Sequence, residues 1–230
     1  MAMMKKMILA AAIVALLSGC GSNNGEHAQQ VRYSIGDQEV MLKGLQDITL
    51  AGQQEENGLF KEISVSTSTV SKSFTWSNVI NPAYYPAIEV ADLNEDGDNE
   101  IIIVLTKGYG TGVNAQELHI LNEDDLSELA VENPLHYIIN HSHSSIQSIG
   151  DKVKVTVDID GQTYNKDYAK SAAGAWNDKI GFGNVLNYAV MDNKLVALVP
   201  GNLSPAEYPV TIKLEYGKDL KVAKSTIIEQ

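Results

Sequence analysis

The sequence is poor in cysteine, because its 230 residues include only one, Cys20. A single thiol cannot form a disulfide bond within the chain, which excludes the small extracellular modules that depend on disulfides. No cysteine–histidine arrangement typical of a cysteine nucleophile is present either. The folded state must therefore be stabilised by a packed apolar core.

Basic residues are also scarce. The chain has 17 lysine and arginine residues against 29 aspartate and glutamate residues, and its formal net charge is −12 at pH 7. Nucleic-acid binding requires a basic surface, so we expect no nucleic-acid partner. The acidity suits cations or basic partners, and plain solubility is the other interpretation.

Signatures of common catalytic sites are missing, since neither G-x-S-x-G nor H-E-x-x-H occurs. The glycine-rich segment 108–112 is followed by no lysine–serine/threonine pair and no helical pattern. This argues against a phosphate-binding loop and predicts a wide hairpin loop, with 113–121 as the return strand. A catalytic carboxylate pair could lie unmarked among the 29 acidic residues, so a hydrolase stays an alternative.

The first residues follow the pattern of a secretory signal. Lys5 and Lys6 make the start basic, and the apolar segment 7–17 is too short to span a bilayer of roughly 30 Å. The L-S-G-C sequence ending at Cys20 resembles the lipobox of bacterial lipoproteins. The resemblance implies that Cys20 is lipidated through sulfur and becomes the N-terminus, and two acyl chains suffice for stable anchoring. An ordinary secretory signal with an incidental cysteine is the alternative.

The anchor prediction sets the domain organisation. Residues 1–19 would be a signal peptide, and residues 20–30, rich in glycine, serine, asparagine and glutamine, would be a flexible tether. Residues 31–230 would form a β-rich domain outside the cytoplasm, as one unit or as two lobes, 31–132 and 133–230.

The segment 92–100, D-L-N-E-D-G-D-N-E, has an oxygen-bearing side chain at every second position from Asp92 to Glu100 and a glycine at its sixth position. Calcium takes roughly six to eight oxygen ligands, and a D-x-N-x-D-G loop supplies side-chain oxygens from its first, third and fifth positions. The glycine permits the positive φ that turns the backbone over the ion. The predicted calcium ligands are Asp92, Asn94, Asp96, the backbone carbonyl of Asp98, and Glu100.

The flanks of this loop differ from those of an EF-hand. Residues 87–91 alternate like a strand, residues 101–105 are an apolar, mostly β-branched run, and Ile103 stands where an EF-hand has its bidentate glutamate. The loop is therefore predicted to join two strands. A metal-free turn is the alternative, because aspartate, asparagine and glycine also favour ordinary turns. Clustered acidic side chains, however, repel one another unless a cation neutralises them.

A strand–calcium loop–strand unit of this kind resembles the FG-GAP and VCBS-type repeats of integrin-like propellers, over residues 85–121. The residues that carry the resemblance are Asp92, Asn94, Asp96, Gly97 and Glu100. The chain has one copy, so a full propeller is not expected. Together with L-T-K-G-Y-G-T-G-V at 105–113 and E-L-H-I-L at 117–121, the pattern resembles a group of secreted bacterial lipoproteins of unassigned function.

Short runs of strand type dominate the rest of the chain. Residues 153–159 alternate before a turn at 160–161, and two runs flank a second turn at 192–193. Hairpins without crossover helices predict a mainly β (β-rich α+β) fold of antiparallel sheets, with one short helix near 134–142 that starts at Pro134. The other predicted strands are 40–42, 48–50, 63–70, 74–76, 210–216 and 220–228.

Three histidines, His136, His141 and His143, lie close in sequence. His141 and His143 would point to one side of a strand as a zinc pair, although no third ligand follows from the spacing and a polar loop explains the same residues. The function that these patterns favour is binding or scaffolding at the cell envelope, with calcium as a structural ion and a protein or polysaccharide partner. A lipid-anchored hydrolase acting on envelope polysaccharide is the alternative.

Overall fold

The computed structural model describes residues 39–54, 57–204 and 207–230, which are built mainly of β-strands with one α-helix. The predicted fold class is confirmed: the sheets are mainly antiparallel and built from hairpins, and they form no propeller within these residues. The predicted signal peptide, Cys20 and the tether lie outside the described residues. Within them, no helix has both the length and the apolarity to cross a membrane.

The elements follow one another along the chain as a nearly unbroken series of strands. They are β1 (Glu39–Leu45), β2 (Ile48–Gln54), β3 (Leu59–Ser66), β4 (Ser71–Val79), β5 (Ala87–Ala91), β6 (Glu100–Gly110), β7 (Val113–Asn122), α1 (Pro134–His141), β8 (Ser142–Ile149), β9 (Lys152–Ile159), β10 (Gln162–Ala169), β11 (Gly181–Phe182), β12 (Val185–Met191), β13 (Lys194–Asn202), β14 (Val210–Tyr216) and β15 (Val222–Glu229). Single 3₁₀ turns occur at Pro82–Tyr84 and Lys170–Ala172.

These strands form three sheets. Strands β1 to β4 form one in sequence order, β8 to β10 form a second, and the third has the order β15-β14-β13-β12-β7-β6-β5, with β11 paired to β13. Every pairing is antiparallel except that of β7 with β12, where Val185 lies opposite Asn114 and Leu186 opposite Ala115. Strands from both sides of residue 132 therefore share one sheet.

Strand β6 lies between two apolar cores. Side chains alternate across a strand, and here both faces are buried. Ile101, Ile103 and Leu105 pack into the core formed with β1 to β4, while Ile102 packs into the core formed with β9 and β12 to β14. This explains why residues 101–105 show no polar alternation: the strand has no face toward water.

The local signals for the helix and two hairpins are confirmed. Pro134 occupies the first turn of α1, and the side chain of Asn133 accepts hydrogen bonds from the backbone N–H groups of Leu135 (2.9 Å) and His136 (3.1 Å). The β9–β10 turn has Asp160 and Gly161 at φ 47° and 80°, the left-handed conformation that a two-residue hairpin requires. The β12–β13 turn at 192–193 is built in the same way.

Two sequence expectations need correction. Residues 108–112 are not a wide loop, because β6 continues to Gly110 and only Thr111 and Gly112 form the turn into β7. The strand expected over 63–70 ends at Ser66. Thr67 begins a turn, and its backbone N–H donates to the carbonyl of Val70 at 2.8 Å. In both segments the residue types suit a strand as well as a turn, so the position where the strand ends depends on its pairing with the neighbouring strand.

Candidate functional site

Residues 92–99 form the loop between β5 and β6, as predicted. The two strands pair in antiparallel register from Ala87 opposite Val104 to Ala91 opposite Glu100. This pairing brings the two ends of the loop together. The residues between them are exposed or half-buried, except Leu93, which packs into the core.

Side-chain oxygens close the loop onto its own backbone. Asp92 accepts from the N–H of Asp96 at 3.2 Å and from the N–H of Gly97 at 3.1 Å. Asn94 Oδ1 also accepts from Asp96 N–H, at 2.8 Å, and Asp96 Oδ1 accepts from the N–H of Asp98 at 2.9 Å. The three side chains predicted as ligands from the first, third and fifth positions are thus linked within one turn of backbone.

Two residues of the loop adopt left-handed backbone conformations, Glu95 at φ 59° and Gly97 at φ 100°. A Cβ atom placed on Gly97 would meet nothing within 4 Å. The glycine is therefore required by its backbone angle and not by crowding.

Glu100 lies at the base of the loop and is 1% exposed. Its Oε2 accepts from the N–H of Leu93 at 2.7 Å, and its Oε1 accepts from the side-chain amide of Asn94 at 2.9 Å. Burial raises the pKa of the Glu100 carboxyl, and the charges of Asp96 and Asp92 raise it further. Glu100 anchors the loop with both oxygens, so any contact with an ion would use their remaining lone pairs.

Asp98 is exposed, and its backbone N–H donates to the side chain of Asp96 within the loop. The structure thus joins Asp92, Asn94 and Asp96 through backbone N–H groups and joins Glu100 to them through Asn94. The side chain of Asp98 is not part of this network in the described hydrogen bonds.

A second acidic segment, which the sequence reasoning missed, lies beside the loop. A cavity of about 420 Å³ is lined by residues 96–99 on one side and by residues 122–125, Asn-Glu-Asp-Asp, on the other. The register of β6 and β7 is the cause, because Glu100 pairs with Asn122 and the turn after β7 therefore meets the loop before β6. The run of three acids was visible in the sequence, but its partner was not.

No group of three or more histidine, cysteine, aspartate or glutamate side chains in residues 39–54, 57–204 and 207–230 is arranged to hold a metal ion. The loop's predicted ligand set also contains an asparagine and a backbone carbonyl.

The expected zinc pair is not formed as predicted. His141 is the last residue of α1, whereas His143 lies in β8, so the two residues do not share a strand. His141 stacks on Tyr137, and its Nδ1 lies 3.2 Å from Asp160 Oδ1. Asp160 Oδ2 also accepts from the Tyr137 hydroxyl at 2.7 Å and from the Ser225 hydroxyl at 2.6 Å, so this cluster ties α1 and β15 to the β9–β10 turn.

A buried histidine outside the predicted sites lies on β7. His119 Nδ1 is 2.6 Å from Glu128 Oε1, and the imidazole stacks on the indole ring of Trp76 with ring centroids 3.8 Å apart. Glu117 precedes His119 by two residues and therefore lies on the same face of the strand. Its Oε2 lies 3.6 Å from His119 Nε2 and 3.0 Å from Lys107 Nζ. Lys107 reaches this position from the irregularity in β6 between Thr106 and Gly108.

Lys107, Glu117, His119 and Glu128 help to line a cavity of about 590 Å³. Its walls also include apolar residues, such as Leu118, Leu129 and Leu186, and further polar ones, such as Gln116 and Glu132. The adjacent His119 imidazole and the Lys107 ammonium outweigh partial burial and lower the pKa of the Glu117 carboxyl to about 2. Burial and the Glu117 charge raise the pKa of Tyr188, also in the wall, to about 12. At neutral pH the cavity therefore contains a carboxylate and a neutral phenol.

Comparison of the chain with protein-family models, with curated proteins and with solved structures finds no match. The assignment of function therefore depends on the sites themselves.

Proposed function

We propose that residues 92–100 bind one calcium ion, and that the ion is a structural clip in a lipid-anchored extracytoplasmic protein that acts as a binding or scaffolding module at the cell envelope. The observation that carries the calcium proposal is the grouping of Asp92, Asn94 and Asp96 around a single turn of backbone. Oxygen ligands from alternate positions of a short loop suit a hard cation such as Ca²⁺.

Charge supports the same proposal. The cavity beside the loop is lined by Asp96, Asp98, Glu123, Asp124 and Asp125, and its lining contains no basic residue. An ion pair joins Lys218 to Glu95, which is on the loop but outside this lining. Carboxylates held close together repel each other, and a divalent cation removes that cost.

The ligand set differs from an EF-hand in a way that predicts weak affinity. Ile103, at the position of the EF-hand's bidentate glutamate, is fully buried in β6, and Glu100 already anchors the loop. Water and the Asp98 carbonyl would complete the coordination. We expect a dissociation constant on the order of 10⁻⁴–10⁻³ M, as in extracellular calcium modules.

The test is thermal unfolding of the protein with increasing calcium. Calcium should raise the melting temperature, because an ion that binds only the folded state stabilises it by mass action. Asp92→Ala and Asp96→Ala should each remove the response, while the control Asp167→Asn, on β10, should keep it. Equal shifts with magnesium, or a persistent shift in the Asp92→Ala protein, would reduce the effect to general charge screening and refute the site.

The anchor and the envelope role have separate tests. Cys20→Ala should transfer the protein from the membrane fraction to a soluble or unprocessed form, and unchanged fractionation would refute lipidation. For the binding role, crosslinking in intact cells should capture a specific protein or polysaccharide from the wild-type protein. A capture pattern identical to that of an unrelated lipoprotein would count against a specific partner.

Glu117 in the His119 cavity, whose pKa is lowered to about 2, would not serve as the general acid of a glycosidase, since that group must stay protonated near neutral pH.

A further inference from the structure

His119 has an unused coordination position in a buried site. Its side chain is 9% exposed, and Nδ1 is engaged by Glu128 at 2.6 Å. Its Nε2 is buried and has no hydrogen-bond partner among the described residues. Because a carboxylate can only accept, Nδ1 donates its proton to Glu128, and Nε2 is the ring atom left to bind a further group.

This nitrogen faces a second ligand-type atom, because Glu117 Oε2 lies 3.6 Å from Nε2. Ligands at about 2.0–2.1 Å from a tetrahedral zinc ion lie roughly 3.3–3.4 Å apart, so a shift of a few tenths of an ångström would bring both atoms onto one metal ion.

We propose that His119 Nε2 and Glu117 Oε2 bind a divalent transition-metal ion, Zn²⁺ or Cu²⁺, at the wall of the 590 Å³ cavity, with Glu128 holding the imidazole in the required tautomer. A metal-bound histidine that donates its other N–H to a carboxylate is the usual arrangement of such sites. An imidazole nitrogen selects these ions over calcium, which prefers oxygen ligands. With two protein ligands, the other coordination positions face the cavity and are open to water or to an incoming ligand.

Lys107 would compete with the metal ion for Glu117. Its ammonium lies 3.0 Å from the same Glu117 Oε2 and also donates to the Ser77 hydroxyl at 2.5 Å. The ammonium and the metal ion would compete for one carboxylate oxygen, so metal binding requires Lys107 to withdraw. Its side chain is 36% exposed, which leaves a path to solvent for the charged end.

The stacking of His119 on Trp76 supplies a local reporter. Cu²⁺ is paramagnetic and quenches nearby indole fluorescence, and the two rings are 3.8 Å apart. Trp176→Phe would leave Trp76 as the sole tryptophan, since the chain has two. The protein should be prepared without a histidine tag and titrated in excess calcium, which occupies oxygen sites but not imidazole nitrogen.

Cu²⁺ should quench Trp76 saturably, and Zn²⁺ should bind with one ion per chain by calorimetry. A large excess of Zn²⁺ should reverse the quenching, since Cu²⁺ binds such sites more tightly. His119→Gln should abolish both signals, and Glu117→Gln, on a partly exposed side chain, should weaken binding while the fold is preserved. Glu128→Gln should weaken binding about tenfold or more. Lys107→Gln should tighten it, a change that a purely structural role of Lys107 does not produce.

The exposed His136 on α1 provides the matched control, and His136→Gln should bind both metals as the wild type does. Saturable binding that persists in the Glu117→Gln protein at full strength would overturn the proposal. So would the absence of binding in both the wild-type and the Lys107→Gln proteins, in which case the imidazole is held by its carboxylates alone.

Discussion

The hairpins β5–β6 and β9–β10 both carry a carboxylate at or beside their turn, yet the two carboxylates are held differently. Asp160 accepts from Tyr137 and Ser225 and lies beside His141. Burial alone would raise the pKa of Asp160, but these three contacts lower it. Glu100 is more deeply buried, and its burial together with two neighbouring aspartates raises its pKa.

The two carboxylates differ in the charges around them. The β9–β10 turn offsets the charge of Asp160 with donors from α1 and β15, whereas Glu100 accepts from Leu93 and Asn94 but also lies near the carboxylates of Asp92 and Asp96. Protein groups alone therefore stabilise the first carboxylate in its ionised form. At Glu100 the neighbouring carboxylates favour the protonated form, and the calcium ion that we propose would offset the same repulsion.

The largest effect that would break this comparison is expected from Asp160→Asn. Asparagine tolerates the φ of 47° found here, so the substitution removes mainly the charge-assisted hydrogen bonds. The free energy of unfolding should fall by about 2 kcal/mol, independently of calcium, as measured by urea denaturation. In the control, Asp167→Asn loses an exposed pair with Lys152 at 3.7 Å and should change stability by less than about 0.5 kcal/mol. Equal losses in both variants would contradict the assignment.

Calcium itself should act on only one of the two hairpins. At a calcium concentration about 10 times the dissociation constant, the unfolding free energy should rise by about 1.4 kcal/mol. The same increment should appear in the Asp160→Asn protein, because distant sites contribute additively. A calcium increment that vanished in that variant would show that the two hairpins are coupled. Differential scanning calorimetry of both proteins provides the measurement.

Gly97→Ala should produce the next effect. Alanine at φ 100° is strained although the space for its Cβ is open, and the expected loss of stability is about 1–2 kcal/mol. The calcium response should weaken as well. Gly108→Ala is the matched control, since Gly108 also has open space but no positive φ, and it should be nearly neutral. Similar losses in the two proteins would mean that backbone angle is not the constraint in the loop.

The smallest effect is a difference in pH dependence. Glu100 has a folded-state pKa above its ordinary value of 4.5, so the folded state holds this proton more tightly. The Glu100 contribution to stability is therefore fully present below about pH 4.5 and is lost as the pH rises through the folded-state pKa. Asp160, whose pKa is lowered from 3.8, contributes in the opposite direction: its stability is present above that value and is lost on acidification.

Calcium-free wild-type protein should accordingly lose stability relative to Glu100→Gln between about pH 4.5 and 7, and added calcium should reduce the difference. Urea denaturation at a series of pH values measures it. If the two proteins show parallel profiles without calcium, the Glu100 carboxyl is not shifted in the folded state.

Local patterns in the sequence predict much of this fold. The alternation of residues 153–159, the turn at 160–161 and the start of α1 at Pro134 each depend on a few neighbouring residues, and all three are confirmed. The strands on either side of the 92–100 loop are also predicted from local sequence, because alternation and β-branching identify strands without knowledge of their partners.

The rest of the site depends on pairing between distant residues. The acidic run at 123–125 lies beside the loop only because Glu100 pairs with Asn122. Lys107 reaches Glu117 through an irregularity in the β6–β7 register, and His119 meets Trp76 across two sheets. A one-residue change of register would separate these groups, and the sequence has no local signal that fixes it.

Strand β6 also limits how the chain can be divided. A fragment ending at residue 132 would retain the partners of Ile101 and Ile103 but would expose Ile102 and Ile120, whose core is completed by strands after that residue. The second half, expressed alone, would lack the strand that β12 pairs with at residues 114–115. A gene encoding either half separately would therefore give a product with exposed apolar side chains or unpaired strand edges, which favour aggregation.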